Sequence, residues 1–120
     1  MRGAVGGILW SAAHAILDPD KTARTFVNND SPRIRSQMVL LVTSTIDQIG
    51  NPHEIVIKGL RDPDPTVRYD ALWVLGKRTW ELLPHCHSQL NHLCEDEDPR
   101  VRSRAMWIKS EILKVIEKRE

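Results

Sequence analysis

The apolar positions of this chain fall on one stripe that the sequence writes out several times. An arginine recurs as Arg35, Arg68 and Arg102, and the apolar positions keep their distance from it. The residue before it is Ile34, Val67 or Val101. The third residue after it is Met38, Ala71 or Ala105, and the fourth is Val39, Leu72 or Met106. The sixth is Leu41, Val74 or Ile108. Such spacing lines one face of a helix. Pro32, Pro65 and Pro99 precede the three stripes at intervals of 33 and 34 residues, and the arginines keep the same intervals. Arg2 extends the series, 33 residues before Arg35, with Met1, Val5, Gly6 and Ile8 in the apolar slots. An internal period of this length is the mark of stacked helix pairs.

Read in order, the pattern predicts alternating long and short helices. Met1–Leu17 is a long helix, Lys21–Asn28 a short one with Ala23, Phe26 and Val27 inward, and Arg33–Ile49 a long one. Gly50 is placed to cap it. His53–Leu60 is the next short helix and Thr66–Trp80 the next long one. Leu83–Cys94 carries Leu83, Cys86, Leu90 and Leu93 on one face, and Arg100–Lys118 closes the chain. The turns Asp18–Asp20, Asn29–Pro32, Arg61–Pro65 and Glu95–Pro99 separate them, since proline cannot continue a helix from upstream. No stretch reads as a hairpin or as low complexity.

The stretches RDPDPTVRYDALWVLG, EDEDPRVRSRAMWIKS and NNDSPRIRSQMVLLVT, with the shorter MRGAVGGILW, resemble HEAT-like helical repeats. That family links its helix pairs by a D-x-D-P-x-V-R-type turn, has an Ala-rich second helix, and often places a glycine eight residues past the arginine. Gly76 holds that place in the best match; Ser110 replaces it in the last. The resemblance implies an all-α, right-handed α-solenoid of three full repeats and an N-terminal half-repeat, one domain over residues 1–120. It is specific for architecture and nearly silent on function, which lies on variable surface positions.

Composition adds limits. The 120 residues suffice for one small core. A net charge of +1 gives no global case for binding nucleic acid or an acidic membrane. Cys86 and Cys94 are eight residues apart on one predicted helix, about 12 Å of rise. That is too far for a disulfide, so both read as free thiols in a reducing, cytoplasmic compartment. The apolar run after Arg2, followed by Ala13-His14-Ala15, has features of a cleaved secretory leader. Its glycines and its register with the repeats argue for a repeat helix instead. No run is long enough to span a membrane.

Three constellations could carry chemistry. In the first, a turn residue precedes the repeated arginine by six: Asn29–Arg35, Asp62–Arg68 and Asp96–Arg102. The resemblance implies a structural ladder, each turn carboxylate accepting from helix-start N–H groups and facing the next repeat's guanidinium. The second is His85-Cys86-His87 with His92 and Cys94, which has zinc-binding side chains at poor spacing. His85 and His87 point about 200° apart on a helix, so no metal site is expected. The third is the outward face of the long helices. The fifth position after the arginine is Leu40, Trp73 or Trp107, and Tyr69 lies one turn before Trp73. Trp80 follows on the same side. Tyr69, Trp73, Lys77, Arg104 and Trp107 together read as a partner-binding ridge of aromatics and charges. The competing reading buries both tryptophans between helices.

A phosphate loop and a nucleophile elbow are absent from the sequence, and Asp70 and Glu111 have no evident partner, so neither catalytic residues nor a cofactor is expected. Some HEAT-like proteins act on damaged DNA and others handle bilin pigments. The expected function is a non-catalytic scaffold for a protein or peptide. A nucleic-acid-binding module ranks second, resting on Arg33, Lys77, Arg78, Arg100, Arg102, Arg104 and Lys109 beside stackable aromatics; the acidic turns oppose it, and an enzyme of the DNA-repair or bilin-lyase type ranks third. Finally, Met1–Leu17 is apolar on nearly all sides, whereas Lys114, Glu117, Lys118 and Glu120 give the other end a polar face. That asymmetry predicts a two-fold homodimer through Val5, Ile8, Leu9 and Trp10.

Overall fold

Prolines start the helices of this chain. The computed structural model describes residues 18–119, and Pro19, Pro32, Pro52, Pro65 and Pro99 each open a helix. Proline suits that place because its missing N–H has no intrahelical partner to lose and its φ is already helical. The helices are α1 (Pro19–Phe26), α2 (Pro32–Thr45), α3 (Pro52–Leu60), α4 (Pro65–Lys77), α5 (Thr79–Leu93) and α6 (Pro99–Arg119). A 3-10 turn, Ile46–Gln48, follows α2. The described residues are therefore all-α, without a strand. The expected helix at Met1–Leu17 and its interface residues Val5, Ile8, Leu9 and Trp10 lie outside the described residues.

Side chains before the prolines finish the starts. Asp18 accepts from the Lys21 N–H at 3.0 Å, Asp64 from Thr66 at 2.8 Å and Asp98 from Arg100 at 2.9 Å. Each satisfies a donor that the helix leaves open. Two boundaries depart from the sequence reading. Gly50 does not take a left-handed cap after α2; the left-handed residue is Asn51, φ 50°, at the N-cap of α3. Asparagine tolerates that region because its short polar side chain can bond locally. The other break comes at Arg78, between α4 and α5. Thr79 Oγ1 donates toward the Leu75 and Gly76 carbonyls at 2.9 and 3.0 Å, occupying acceptors that the end of α4 leaves free. Thus α4 stops short of Trp80, and α5 begins before Leu83. The shift puts Leu82 in the core and leaves Leu83 half-buried.

α4 is the centre. It packs against α2, α3, α5 and α6, while α3 also meets α5. Val67, Ala71, Leu72, Val74 and Leu75 are all fully enclosed there. Gly59 permits the tightest approach: a Cβ at that place would lie 2.8 Å from Val39 Cγ2 and 3.0 Å from Ala71 Cβ. A larger residue would push α3 away from α2 and α4.

The far end of α6 differs from expectation. Lys114, Glu117 and Lys118 are exposed as the sequence suggests. So are Met106, Leu113 and Ile116, which share one side of the helix. That end is a mixed surface and not a polar cap.

Candidate functional site: a cation–aromatic face on the long helices

The turns fix how the long helices sit beside one another. Arg35 on α2 meets both carboxylate oxygens of Asp62, at 2.8 and 3.0 Å, and its Nη1 donates to the carbonyls of Asn29 and Asp30. Arg68 on α4 repeats the arrangement. It lies 3.0 and 3.1 Å from the Asp96 oxygens and donates through Nη1 to the carbonyls of Asp62 and Pro63. Arg102 donates to the Asp96 carbonyl at 2.7 Å.

The expected direction of the carboxylate contact was therefore wrong. Each arginine binds the backbone carbonyl six residues back, and each aspartate side chain faces the arginine of the preceding repeat. The reason is local. Asp62 accepts from the Asp64 N–H and Asp96 from the Asp98 N–H, both at 2.9 Å. These bonds hold the carboxylates across the turn, away from their own helix. Burial alone would raise the pKa of Asp62. The Arg35 hydrogen bond, the Asp64 N–H and the two guanidinium charges outweigh it and hold the carboxyl below its ordinary value.

On the outer face, Arg104 of α6 reaches back to α4. Its Nη2 donates to the Tyr69 hydroxyl at 3.0 Å, and its guanidinium lies 5.4 Å from the Tyr69 ring and 5.3 Å from the Trp107 ring. Lys77 Nζ lies 5.3 Å from the ring of Trp73. All three distances suit cation–π attraction. Trp73 is 37% exposed and Trp107 54%. Tyr69, Arg104 and Trp107 are thus brought together, and Lys77 and Trp73 form a second pair on α4.

Trp80 is 52% exposed and stands on α5, not on the helix of Trp73. It still lines one small cleft with Trp107, Gly76, Ile108 and Glu111. Sequence spacing missed this, because the break at Arg78 has no strong local signal.

The remaining candidates have other occupations. Glu111 pairs with Lys114 at 3.0 Å, Arg78 with Glu81 at 3.5 Å and Arg100 with Asp98 at 3.6 Å. Asp70 lies on α4 beside Ser36 of α2. Burial raises its pKa, and the Ser36 hydroxyl acts in the opposite direction. Burial also pushes the Cys86 thiol up to about 11, so it is a poor nucleophile at neutral pH. Both cysteines are free. His85 stacks on His53 of α3, with centroids 3.9 Å apart and rings 13° from parallel. The two lie 32 residues apart, close to the repeat period, which was the available signal. Among the described residues no group of three or more His, Cys, Asp and Glu side chains could hold a metal ion, and no helix is long and apolar enough to cross a membrane.

No family model, curated protein or solved structure matches the chain.

Proposed function

We propose that this chain is a HEAT-like α-solenoid that acts as a non-catalytic scaffold, holding a protein or peptide along the outer face of its long helices. The repeat reading is supported by contacts between successive long helices and by two arginine–aspartate links, each spanning 27 or 28 residues, that recur one sequence period apart. The free thiols fit a cytoplasmic setting.

One observation carries the function. Trp73 and Trp107 occupy the same place in successive repeats, and both keep a large share of their surface in water. Large aromatics beside cations, on rigid helices, are what binding hot spots are made of.

The test replaces both tryptophans with alanine. A fully buried Trp→Ala change costs about 3–5 kcal/mol. Trp107→Ala is expected to cost well under that, and Trp73→Ala somewhat more because it is less exposed. Partner capture in a pull-down is expected to vanish in the double variant. A full core-sized loss of stability at both positions would place them in the packing and remove the ridge.

A further inference from the structure

We propose that the groove between α4 and α6 takes an acidic side chain, the carboxylate of an Asp or Glu in a bound peptide, seated on Arg104 between Tyr69 and Trp107. This rests on the ridge reading above and names the chemistry of the partner.

The argument starts from what Arg104 lacks. Arg24, Arg35, Arg68, Arg78 and Arg100 each pair with a carboxylate. Arg104 is half-buried, and among the described residues it meets the Tyr69 hydroxyl and two aromatic rings but no carboxylate. A guanidinium has five N–H donors, and the Tyr69 bond uses one. The two rings fix its plane, so little further order is lost when a carboxylate arrives. Two parallel N–H···O bonds to one carboxylate match that fixed fork.

The surroundings agree in sign. The groove is lined by Tyr69, Pro99, Arg100, Ser103, Arg104 and Trp107, which supply two guanidinium groups and no carboxylate. Arg100 sits at the rim with 65% of its side chain exposed. Lys77, one turn beyond Trp73, adds a third cation and, like Arg104, has no carboxylate partner among the described residues. The corresponding position one repeat back is Asp70, beside Ser36. The acidic residue of the peptide therefore belongs over α6, with its apolar neighbours on Trp73 or Trp107. A phosphodiester chain fits less well, because the acidic turn Glu95–Asp98 directly precedes α6 and repels a run of phosphates.

The experiment selects a random short-peptide display library on the whole chain and resynthesises the enriched peptides for fluorescence anisotropy. The expected peptides carry Asp or Glu beside an apolar residue. Arg104→Gln is expected to weaken them about tenfold, as is changing the peptide's own acid to its amide. The two changes together should cost no more than either alone, which a general loss of structure would not produce. Arg104→Lys keeps the charge and should recover only part of the affinity, since the fork is gone. If Arg104→Gln does not fold, Arg100→Gln at the rim takes its place with a smaller expected loss.

The failures separate. Peptides that need Trp73 or Trp107 but are neutral or basic and ignore Arg104→Gln overturn the acidic inference and leave the ridge standing. A selection that yields no peptide sensitive to Trp73→Ala or Trp107→Ala overturns the ridge and the inference with it. Single-stranded oligothymidylate that binds through Arg104 more tightly than any selected peptide overturns it in favour of nucleic acid.

Discussion

Leu72 and Met106 hold the same place in successive repeats, four residues after the arginine, and meet opposite surroundings. Leu72 is fully buried, as Val39 nearly is one repeat earlier, whereas Met106 is 56% exposed. The sequence around them differs little. What differs is the next helix: α4 is covered by α6, and none of the described residues covers α6 on that side. A repeat thus specifies which face of a helix is apolar, and its neighbour decides whether that face is core.

Core truncation gives the largest effect that could break this comparison. Leu72→Ala should cost about 2–5 kcal/mol in urea unfolding, as deleting a buried leucine does. Met106→Ala should cost under about 1 kcal/mol, in the range of exposed positions. Equal losses would mean that Met106 is covered in solution, and the contrast between the two repeats would collapse.

The arginines sharpen the contrast at lower cost. Arg68 and Arg102 share a slot, and both bind the carbonyl six residues back. Only Arg68 also holds a carboxylate of the following turn, with side-chain exposures of 10% and 9% for the pair. Removing one member of such a pair strands the other charge. Arg68→Ala should therefore cost about 3 kcal/mol. Arg102→Ala loses one bond to a carbonyl and should cost about 1 kcal/mol. Chemical denaturation of the two variants side by side checks the ratio.

The same contrast separates what sequence could reveal from what it could not. Val67, Ala71, Leu72 and Val74 were legible as core because their spacing is a local property of one helix. Trp73 and Trp107 were legible as a shared slot for the same reason. The six described helices were legible in kind, though five starts were set too late, because proline acts as a first helical residue as well as a barrier, and that of α5 because the break at Arg78 has no strong local signal. The guanidinium partner of the Asp62 carboxylate was misread, since the bond from the Asp64 N–H that turns it appears only once the turn is folded. Met106 was misplaced because exposure depends on a helix further along. Arg104 was picked out by its helix face, but its position between Tyr69 and Trp107 needs two helices in contact.

Two carboxylates on neighbouring segments give pH-dependent effects of opposite sign, that of Asp70 the smallest of all. Asp62 is held below its ordinary value of 3.8. Its contribution is full above that value and is lost as pH falls through the lower, folded-state pKa. Asp62→Asn should therefore destabilise at neutral pH, with the gap to wild type closing in strong acid. Asp70 is held above 3.8 by burial between α2 and α4. Its folded state favours the protonated form, so its contribution is present below 3.8 and is lost as pH rises through the higher, folded-state pKa. At neutral pH the ionised Asp70 is a cost. Asp70→Asn keeps the shape and carries no charge to bury. It should raise the melting temperature slightly at pH 7 and lose that advantage as pH falls below the ordinary carboxyl value. Parallel melts of wild type and variant across that range isolate the effect, because every other titrating group is common to both. A variant less stable than wild type at neutral pH would show that the Asp70 carboxylate is satisfied in place, and the two aspartates would then no longer differ in sign.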